Sequence, residues 1–359
     1  MDGFESGKPT YANSTVYSSA IYNGGLWLCY SATTAASLGA STTTRNTYSG
    51  YSFRYLMGGA TTAYATSTFA STYTSLYTRF YIRKVTDTGS NNVYISLIGG
   101  GTVRCSLRVG GSGQVIGIAN SSLVFTSSNG VIDVGTQWYK VEFFFKANAS
   151  TGELTCYVDN VNIGSWTGDS GTTAVDSIRI GGVNTSNFTS SDFYIDDLAV
   201  NDTTGSINNS WCGDGTIIGL VPKGAGNYMQ MSNVGAAVSN WQAVDEIPND
   251  GDTSYVHSNV VGTMDTYDMQ ELVATKSVPS NATVNASQIL YTARYSDASG
   301  SVAPVLRSGS TDYIGTNVAA TSVYTGQIKY QVFDISPFTS SQWTVSEIDG
   351  IEAGIKFQG

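Results

Sequence analysis

Apolar and polar residues alternate in short runs along most of this chain. That is the period expected where successive side chains point to opposite faces of a strand. In the first half the pattern predicts strands over Leu26–Tyr30, Ser52–Met57, Leu76–Lys84, Asn92–Ile98, Thr102–Val109, Trp138–Lys146, Glu153–Val158, Ser177–Ile180 and Phe193–Val200. Turn clusters separate them: Asp87-Thr88-Gly89-Ser90, Gly110-Gly111-Ser112-Gly113, Ser128-Asn129-Gly130 and Ser150-Thr151-Gly152,. Ala32–Ala40 is apolar in places but too rich in Thr, Ser and Gly to predict a helix,. In the second half, strands are predicted over Thr216–Val221, Ser254–Val261, Met269–Val273, Ala286–Tyr295, Ala303–Ser308, Ile328–Asp334 and Ile351–Phe357, with Trp241–Pro248 packing against them. Short strands at this spacing predict sandwiches or jelly rolls.

The run from Phe193 to Gly226 sets the organisation. A strand pattern ends at the turn cluster Asn201-Asp202-Thr203-Thr204-Gly205, and a new one begins at Thr216 and stops at Pro222,. One β-domain closes there and another opens. The expected fold class is all-β: two β-sandwich (jelly-roll) domains in tandem, residues 1–203 and 204–359, with the junction at about 201–215.

Composition sharpens this picture. Of 359 residues only 12% are charged, against about a quarter in an average globular chain. Ser, Thr and Asn fill most polar positions, which suits strand faces and turns better than helices. The net charge of −10 repels polyanions, so no nucleic-acid partner is expected. The densest basic group, Arg79, Arg83 and Lys84, reads as the solvent face of a strand. No apolar run is long enough for a membrane span,. Cys105 and Cys156 align with apolar neighbours and read as small core residues, Cys212 is less defined, and none of the four cysteines has zinc-site spacing,. His257 is the single histidine, so no Ser-His-Asp, Cys-His or multi-histidine site can be assembled in one chain,. Tyr48, Tyr51, Tyr55, Tyr73, Tyr77 and Tyr81 lie close in sequence; a sugar-stacking platform and ordinary packing both account for them, and packing is favoured,. Asn249-Asp250-Gly251-Asp252 lacks the spacing of an EF-hand loop and reads as a turn,. Asn-x-Ser/Thr triplets at Asn13, Asn148, Asn184, Asn187, Asn281 and Asn285 are what so much Asn, Ser and Thr produces by chance.

Five segments, in this order, carry a resemblance: GFESG at 3–7, WYKVEFFF at 138–145, STGELTCYVDNVNIG at 150–164, IRIGG at 178–182 and FYIDDLAV at 193–200. Together they resemble the concanavalin A-like, laminin-G-like jelly rolls, with Asp159-Asn160 where that family has Asp-Gly. Two further segments, VDEIPNDGDTSYVHS at 244–258 and FDISPFTSSQWTVSEIDGIEAGIKF at 333–357, resemble a domain of tailed-phage structural proteins. Ser336-Pro337 and Thr339-Ser340 stand there in place of Asp-Pro and Thr-Gly.

The resemblance implies a bacteriophage virion structural protein, a capsid-decoration or tail-surface protein on the particle exterior, without catalysis. Its partners would be other virion proteins and copies of itself, most simply a trimer, with a surface glycan as a further ligand. Met1-Asp2-Gly3-Phe4-Glu5 carries no leader pattern, as expected of a protein released by lysis. The alternative is a secreted bacterial carbohydrate-binding lectin or a concanavalin A-like glycan hydrolase. Glu347-Ile348-Asp349-Gly350-Ile351-Glu352 matches the E-x-D-x-x-E motif of such glucanases. It lies outside the jelly-roll half, however, and is expected to form a turn into a final strand. Related jelly rolls also imply a structural calcium. Glu5 near the first strand would meet Asp196 or Asp197 on the last, and strand alternation allows at most one of the two aspartates to point inward,. Otherwise they are solvent-facing strand acids or carboxylates capped by backbone amides.

Overall fold

The computed structural model describes residues 21–22, 28–31, 36–48, 50–57, 62–87, 92–182, 191–236, 238–247, 250–297, 299–322 and 329–359. The chain divides into two compact units, 1–217 and 218–359.

The described strands of the first unit are β1 (Ile21–Tyr22), β2 (Leu28–Ser31), β3 (Ala36–Ser41), β4 (Ser52–Met57), β5 (Ala63–Tyr73), β6 (Ser75–Asp87), β7 (Asn92–Gly99), β8 (Thr102–Val109), β9 (Val115–Ala119), β10 (Ser122–Thr126), β11 (Tyr139–Lys146), β12 (Gly152–Val158), β13 (Val161–Gly168), β14 (Val175–Gly182) and β15 (Ser191–Asp202). They form two antiparallel sheets, in the orders β1-β2-β5-β14-β7-β8-β9-β10 and β13-β12-β11-β6-β15-β4-β3. One core fills the space between them. Strand alternation builds it: Val141, Phe143 and Phe145 from β11 and Leu154, Cys156 and Val158 from β12 meet Leu97, Cys105, Leu107, Ile178 and Ile180 from the other sheet,. Phe193 stacks on Tyr55 at 4.7 Å and meets Tyr94 edge-on at 4.3 Å. Cys105, Cys156 and Cys212 are free thiols, and burial pushes the Cys212 thiol up to about 11.

Local chemistry fixes the hairpins. Val158 pairs with Val161 across a two-residue turn, and both turn residues, Asp159 and Asn160, are left-handed at φ 46° and 69°. This is the turn geometry whose twist matches paired strands, and Asp and Asn tolerate it. Phe125 on β10 closes one edge of the sandwich by lying against two glycines. A Cβ on Gly117 would come within 2.3 Å of its ring, and one on Gly164 within 2.3 Å as well. Gly117→Ala is therefore expected to lower the stability of this unit by about 1–3 kcal/mol through overpacking. Phe125→Leu in the same chain should recover part of that loss in a thermal melt.

Of the basic group, Arg83 keeps part of its surface in solvent, and Arg79 and Lys84 do not form a solvent face. Alternation turns Lys84 inward with Phe80 and Ile82. It is fully buried and donates from Nζ to the Gly110 carbonyl at 3.1 Å. Arg79 points outward but is buried beneath residues 211–217.

The second unit holds β16 (Pro222–Met229), β17 (Ser232–Val234), a 3-10 turn (Asn240–Ala243), β18 (Tyr255–His257), β19 (Met264–Met269), β20 (Ser287–Tyr291), β21 (Ser301–Ser308), β22 (Thr311–Ile314), β23 (Val318–Ala319), β24 (Lys329–Phe333), α1 (Val345–Asp349) and β25 (Ile351–Phe357). Its main sheet has the order β16-β19-β25-β21-β22, and β17-β18 and β20-β24 form separate pairs. Trp343 anchors the end of the chain, buried with its indole N–H donating to the Phe333 carbonyl at 2.9 Å. Two sequence expectations fail here. Thr216–Val221 is irregular, and the strand starts at Pro222. Met269–Val273 leaves β19 for a turn, where the Leu272 amide donates to Asp349 at 2.6 Å.

Candidate functional site

Asp196 and Asp197 lie on β15 on the outer side of the seven-stranded sheet. A bulge interrupts the pairing with β6 between Asp196 and Ala199, and Asp197 is left-handed at φ 51°. The bulge cancels the expected alternation, so both carboxylates are fully buried and engage the same neighbours,. The Arg45 amide donates to Asp196 Oδ2 at 3.0 Å, and the Asp197 amide to Asp196 Oδ1 at 2.8 Å. Arg45 Nε donates to Asp197 Oδ2 at 2.7 Å and the Ile217 amide to Asp197 Oδ1 at 2.6 Å. Every oxygen of the two carboxylates thus receives a protein donor, and a guanidinium supplies the positive charge. This set does not fit calcium, which needs several free oxygen ligands. Glu5 lies outside the described residues, as do Asn13, Asn184 and Asn187. Among the described residues no group of three or more His, Cys, Asp or Glu is placed to hold a metal.

Residues 211–217 lie over this same outer face. Trp211 packs against Tyr77 and Tyr157 at 5.1 and 5.0 Å. The Gly213 amide donates to Glu142 at 2.7 Å, Asp214 pairs with Lys140 at 3.0 Å, and Arg45 Nη2 donates to the Gly215 carbonyl at 2.9 Å. Arg45 stacks on the Tyr81 ring at 3.8 Å. The clustered tyrosines are packing groups: Tyr55 is in the core, Tyr77 is under Trp211 and Tyr81 is under Arg45.

The acids of the glucanase-like motif are dispersed. Glu347 and Asp349 are on α1, capped by Thr344, and Glu352 is on β25. Glu347 accepts from the Ser336 hydroxyl, Asp349 from the Leu272 amide, and Glu352 from the Asn227 amide at 2.8 Å and the Thr266 hydroxyl at 2.5 Å. Each carboxylate ties two parts of the second unit together. His257 is exposed on β18. Asp250 accepts from the Ser254 amide at 3.2 Å and Asp252 pairs with Arg294 at 2.8 Å, the bonding of a turn.

The outer face of the eight-stranded sheet is different, and sequence reasoning passed over it. Register places Thr66, Arg179, Ser96, Ser106 and Ile118 in one row across β5, β14, β7, β8 and β9. Arg108 and Ile116 face each other one step along. Their strand neighbours Cys105, Leu107, Val109, Ile178 and Ile180 point into the core, so this row points out,. Yet Ser96, Ser106, Ile116 and Ile118 are 2–8% exposed, while Tyr64, Thr66, Arg108 and Arg179 are half-buried. The small hydroxyl and aliphatic residues of the row are covered, and the longer side chains beside them keep part of their surface in solvent.

The electrostatics of this face are unbalanced. Arg179 stacks on Tyr64 at 3.9 Å and donates from Nε to Thr66 Oγ1 at 3.3 Å. Arg108 Nε and Ser106 Oγ are both buried without a hydrogen-bond partner. Burial pulls the pKa of both guanidinium groups down from the usual arginine value, and arginine stays charged regardless. Among the described residues neither has an ion-pair partner, and Asp176, on the same strand as Arg179, receives the Gly100 amide at 2.8 Å. Two strand spacings and one two-residue step put the Arg108 and Arg179 Cα atoms roughly 12 Å apart. In a chain of net charge −10, these are two cations on one sheet face without an ion-pair partner among the described residues. The only signal in the sequence is an arginine between core residues in Leu107-Arg108-Val109 and Ile178-Arg179-Ile180, which period two alone reads as solvent-facing.

No family model and no curated protein matches the chain. Among solved structures, a sialidase is similar over 49% of this chain and 17% of its own length, at 12% identity and a TM-score of 0.39. The alginate lyase Aly36B in complex with alginate trisaccharide is similar over 48% of this chain and 86% of its own, at 11% identity and 0.35. The carbohydrate-binding module CBM66 from Bacillus subtilis is similar over 51% of this chain and 100% of its own, at 8% identity and 0.33. The chain thus spans about a sixth of the length of that sialidase.

Proposed function

We propose that the protein is a non-catalytic attachment protein that binds glycans on the outer face of its eight-stranded sheet. One observation carries the reading: Arg108 and Arg179 stand half-buried on this face, and among the described residues neither has an ion-pair partner. Buried polar groups are almost always paired. A surface that leaves two guanidinium groups without an anion is pre-organised for a ligand that supplies one. Sugars match it chemically. Their hydroxyls would meet the half-buried Thr66, Arg108 and Arg179, and their C–H faces the ring of Tyr64,. Catalysis is not part of the proposal, because the acids that resemble a glucanase motif each hold the second unit together.

The exterior of a tailed-phage particle is the setting we propose, and it rests on the resemblance of the 244–258 and 333–357 segments. Self-association there would turn individually modest contacts into firm attachment. Immunogold labelling of lysates should place the chain on particles, and its recovery only as free protein would remove that setting. For the binding itself, a glycan array is expected to give hits with the wild-type chain. Thr66→Trp, which fills the recess beside Arg179, should abolish them without changing the circular dichroism spectrum. Undiminished binding by Thr66→Trp, or an array without hits, would refute the assignment of this face.

A further inference from the structure

We infer that the ligand of this face is an acidic glycan, a uronate-bearing polysaccharide whose carboxylate is received by Arg108 and Arg179. The inference rests on the glycan-binding reading above and specifies its ligand.

A guanidinium leaves water readily only when an anion replaces the lost hydration, and planar carboxylates match its paired N–H groups. Two other arginines of this unit follow that rule, and the buried Arg79 instead donates to the Asp197 and Gly213 carbonyls. Arg45 is paired with Asp197 at 2.7 Å and Arg54 with Asp192 at 2.8 Å. Arg108 and Arg179 are desolvated to a degree that lowers their pKa, and no described acid faces them. A neutral sugar would leave both charges uncompensated in a partly dry recess, whereas a carboxylate would neutralise them.

The rest of the surface narrows the class of anion. Nucleic acid carries about one charge per 1.7 Å of duplex and would meet a chain of net charge −10. Two arginines roughly 12 Å apart suit an anion with sparse charge. Beside Arg179 stand the half-buried Thr66, whose hydroxyl complements sugar hydroxyls, and Tyr64, whose ring complements C–H surface. A ligand with carboxylates, hydroxyls and apolar ring faces in alternation is a polyuronate. Tyr64, already stacked under Arg179, holds that guanidinium over the row instead of letting it swing into solvent.

The test uses the full chain, with oligogalacturonate and its methyl ester as probes and neutral xylo-oligosaccharide as control, by calorimetry. The ester keeps the sugar ring and removes the charge. The acid form is expected to bind roughly tenfold to a hundredfold more tightly than the ester, and to weaken as salt rises from 50 to 500 mM in the titration buffer. Arg108→Gln should bring acid and ester to the same affinity. Arg108→Met should do so while raising the thermal midpoint, since it removes a buried unpartnered donor. An arginine with a purely structural role would lower it. Equal binding of acid and ester by the wild type, or an acid preference that survives in Arg108→Gln with Arg179→Gln, would overturn the inference and leave glycan binding standing. If neither the uronates nor the neutral oligosaccharide bound and the array were also empty, both readings would fall.

Discussion

Asp265→Ala is expected to lower the stability of the second unit by about 4 kcal/mol and to leave the first unit unaffected. Asp265 is fully buried on β19. Its Oδ1 accepts from the Gln230 and Met231 amides at 2.7 and 2.8 Å. Its Oδ2 accepts from Asn240 Nδ2 at 2.6 Å and the Tyr267 hydroxyl at 3.3 Å. One carboxylate therefore fixes the end of β16 and the 3-10 turn to the central sheet. Removing it strands the donors it received, and a buried unsatisfied donor costs about 1–3 kcal/mol. Asparagine does not rescue the site. Its amide would face Asn240 Nδ2, and Asn240 cannot flip without losing its bond to the Met231 carbonyl at 2.8 Å. Hydrogen exchange read by mass spectrometry should show faster exchange over 222–269, with β11 and β12 unchanged. Wild-type protection in both units would refute this role.

How much of this was legible in the sequence depends on how each element is held. Strands with one buried and one open face declare themselves. β4, β8 and β25 have the predicted limits and β12 differs by a residue, because alternation is the direct consequence of such a position,. β11 and β15, buried on both faces, are legible instead from their aromatic and aliphatic runs,. Strands built from small residues do not. β5 runs through Ala-Thr-Ser-rich sequence, its inward Ala63 and Ala65 too small to register as a pattern. β9 is buried on both faces, so Val115–Ala119 has no alternation to read. β16, with Pro222 and glycines at 224 and 226, has poor strand chemistry, and Gly226 is required where a Cβ would lie 2.4 Å from the Thr266 carbonyl. The opposite error occurs at Thr216–Val221. Its residues suit a strand, but the Thr216 hydroxyl is held by Arg45 and the Ile217 amide by Asp197. The helix α1 did carry a local signal, Thr344-Val345-Ser346-Glu347, a capping pattern overshadowed by the glucanase-like spacing that overlaps it,.

The site residues follow the same logic. Asp196 and Asp197 stand out in the sequence as paired acids, but the bulge that buries both depends on the partner strand, and their cation, Arg45, lies about 150 residues away in the chain,. Arg108 and Arg179 are inconspicuous because what distinguishes them is the lack of an ion-pair partner among the described residues. That is a property of the folded sheet and has no local pattern.

Arg45→Met is expected to destabilise the first unit by about 3 kcal/mol at neutral pH, with a deficit that shrinks as the solution is acidified. The Asp197 side chain is fully buried and Arg45 is its only salt-bridge partner among the described residues. Removing one member of a buried pair is strongly destabilising because the other charge stays behind. The pH dependence follows from the direction of the Asp197 shift. Burial already holds its carboxyl above the ordinary value, with Arg45 pulling the other way, helped by the Ile217 amide. Without Arg45 the folded-state pKa rises further. A carboxyl whose folded pKa exceeds its unfolded one favours the folded state below the unfolded value, and that contribution is lost as pH rises through the folded value. The difference between Arg45→Met and wild type should therefore be largest near pH 7 and should narrow toward pH 4 in urea titrations. Asp197→Asn combined with Arg45→Met separates charge from packing. Removing the stranded charge should recover much of the loss at pH 7 and flatten its pH dependence. A deficit independent of pH in the single variant, unchanged in the double, would instead assign the loss to the packing of Arg45 on Tyr81 at 3.8 Å.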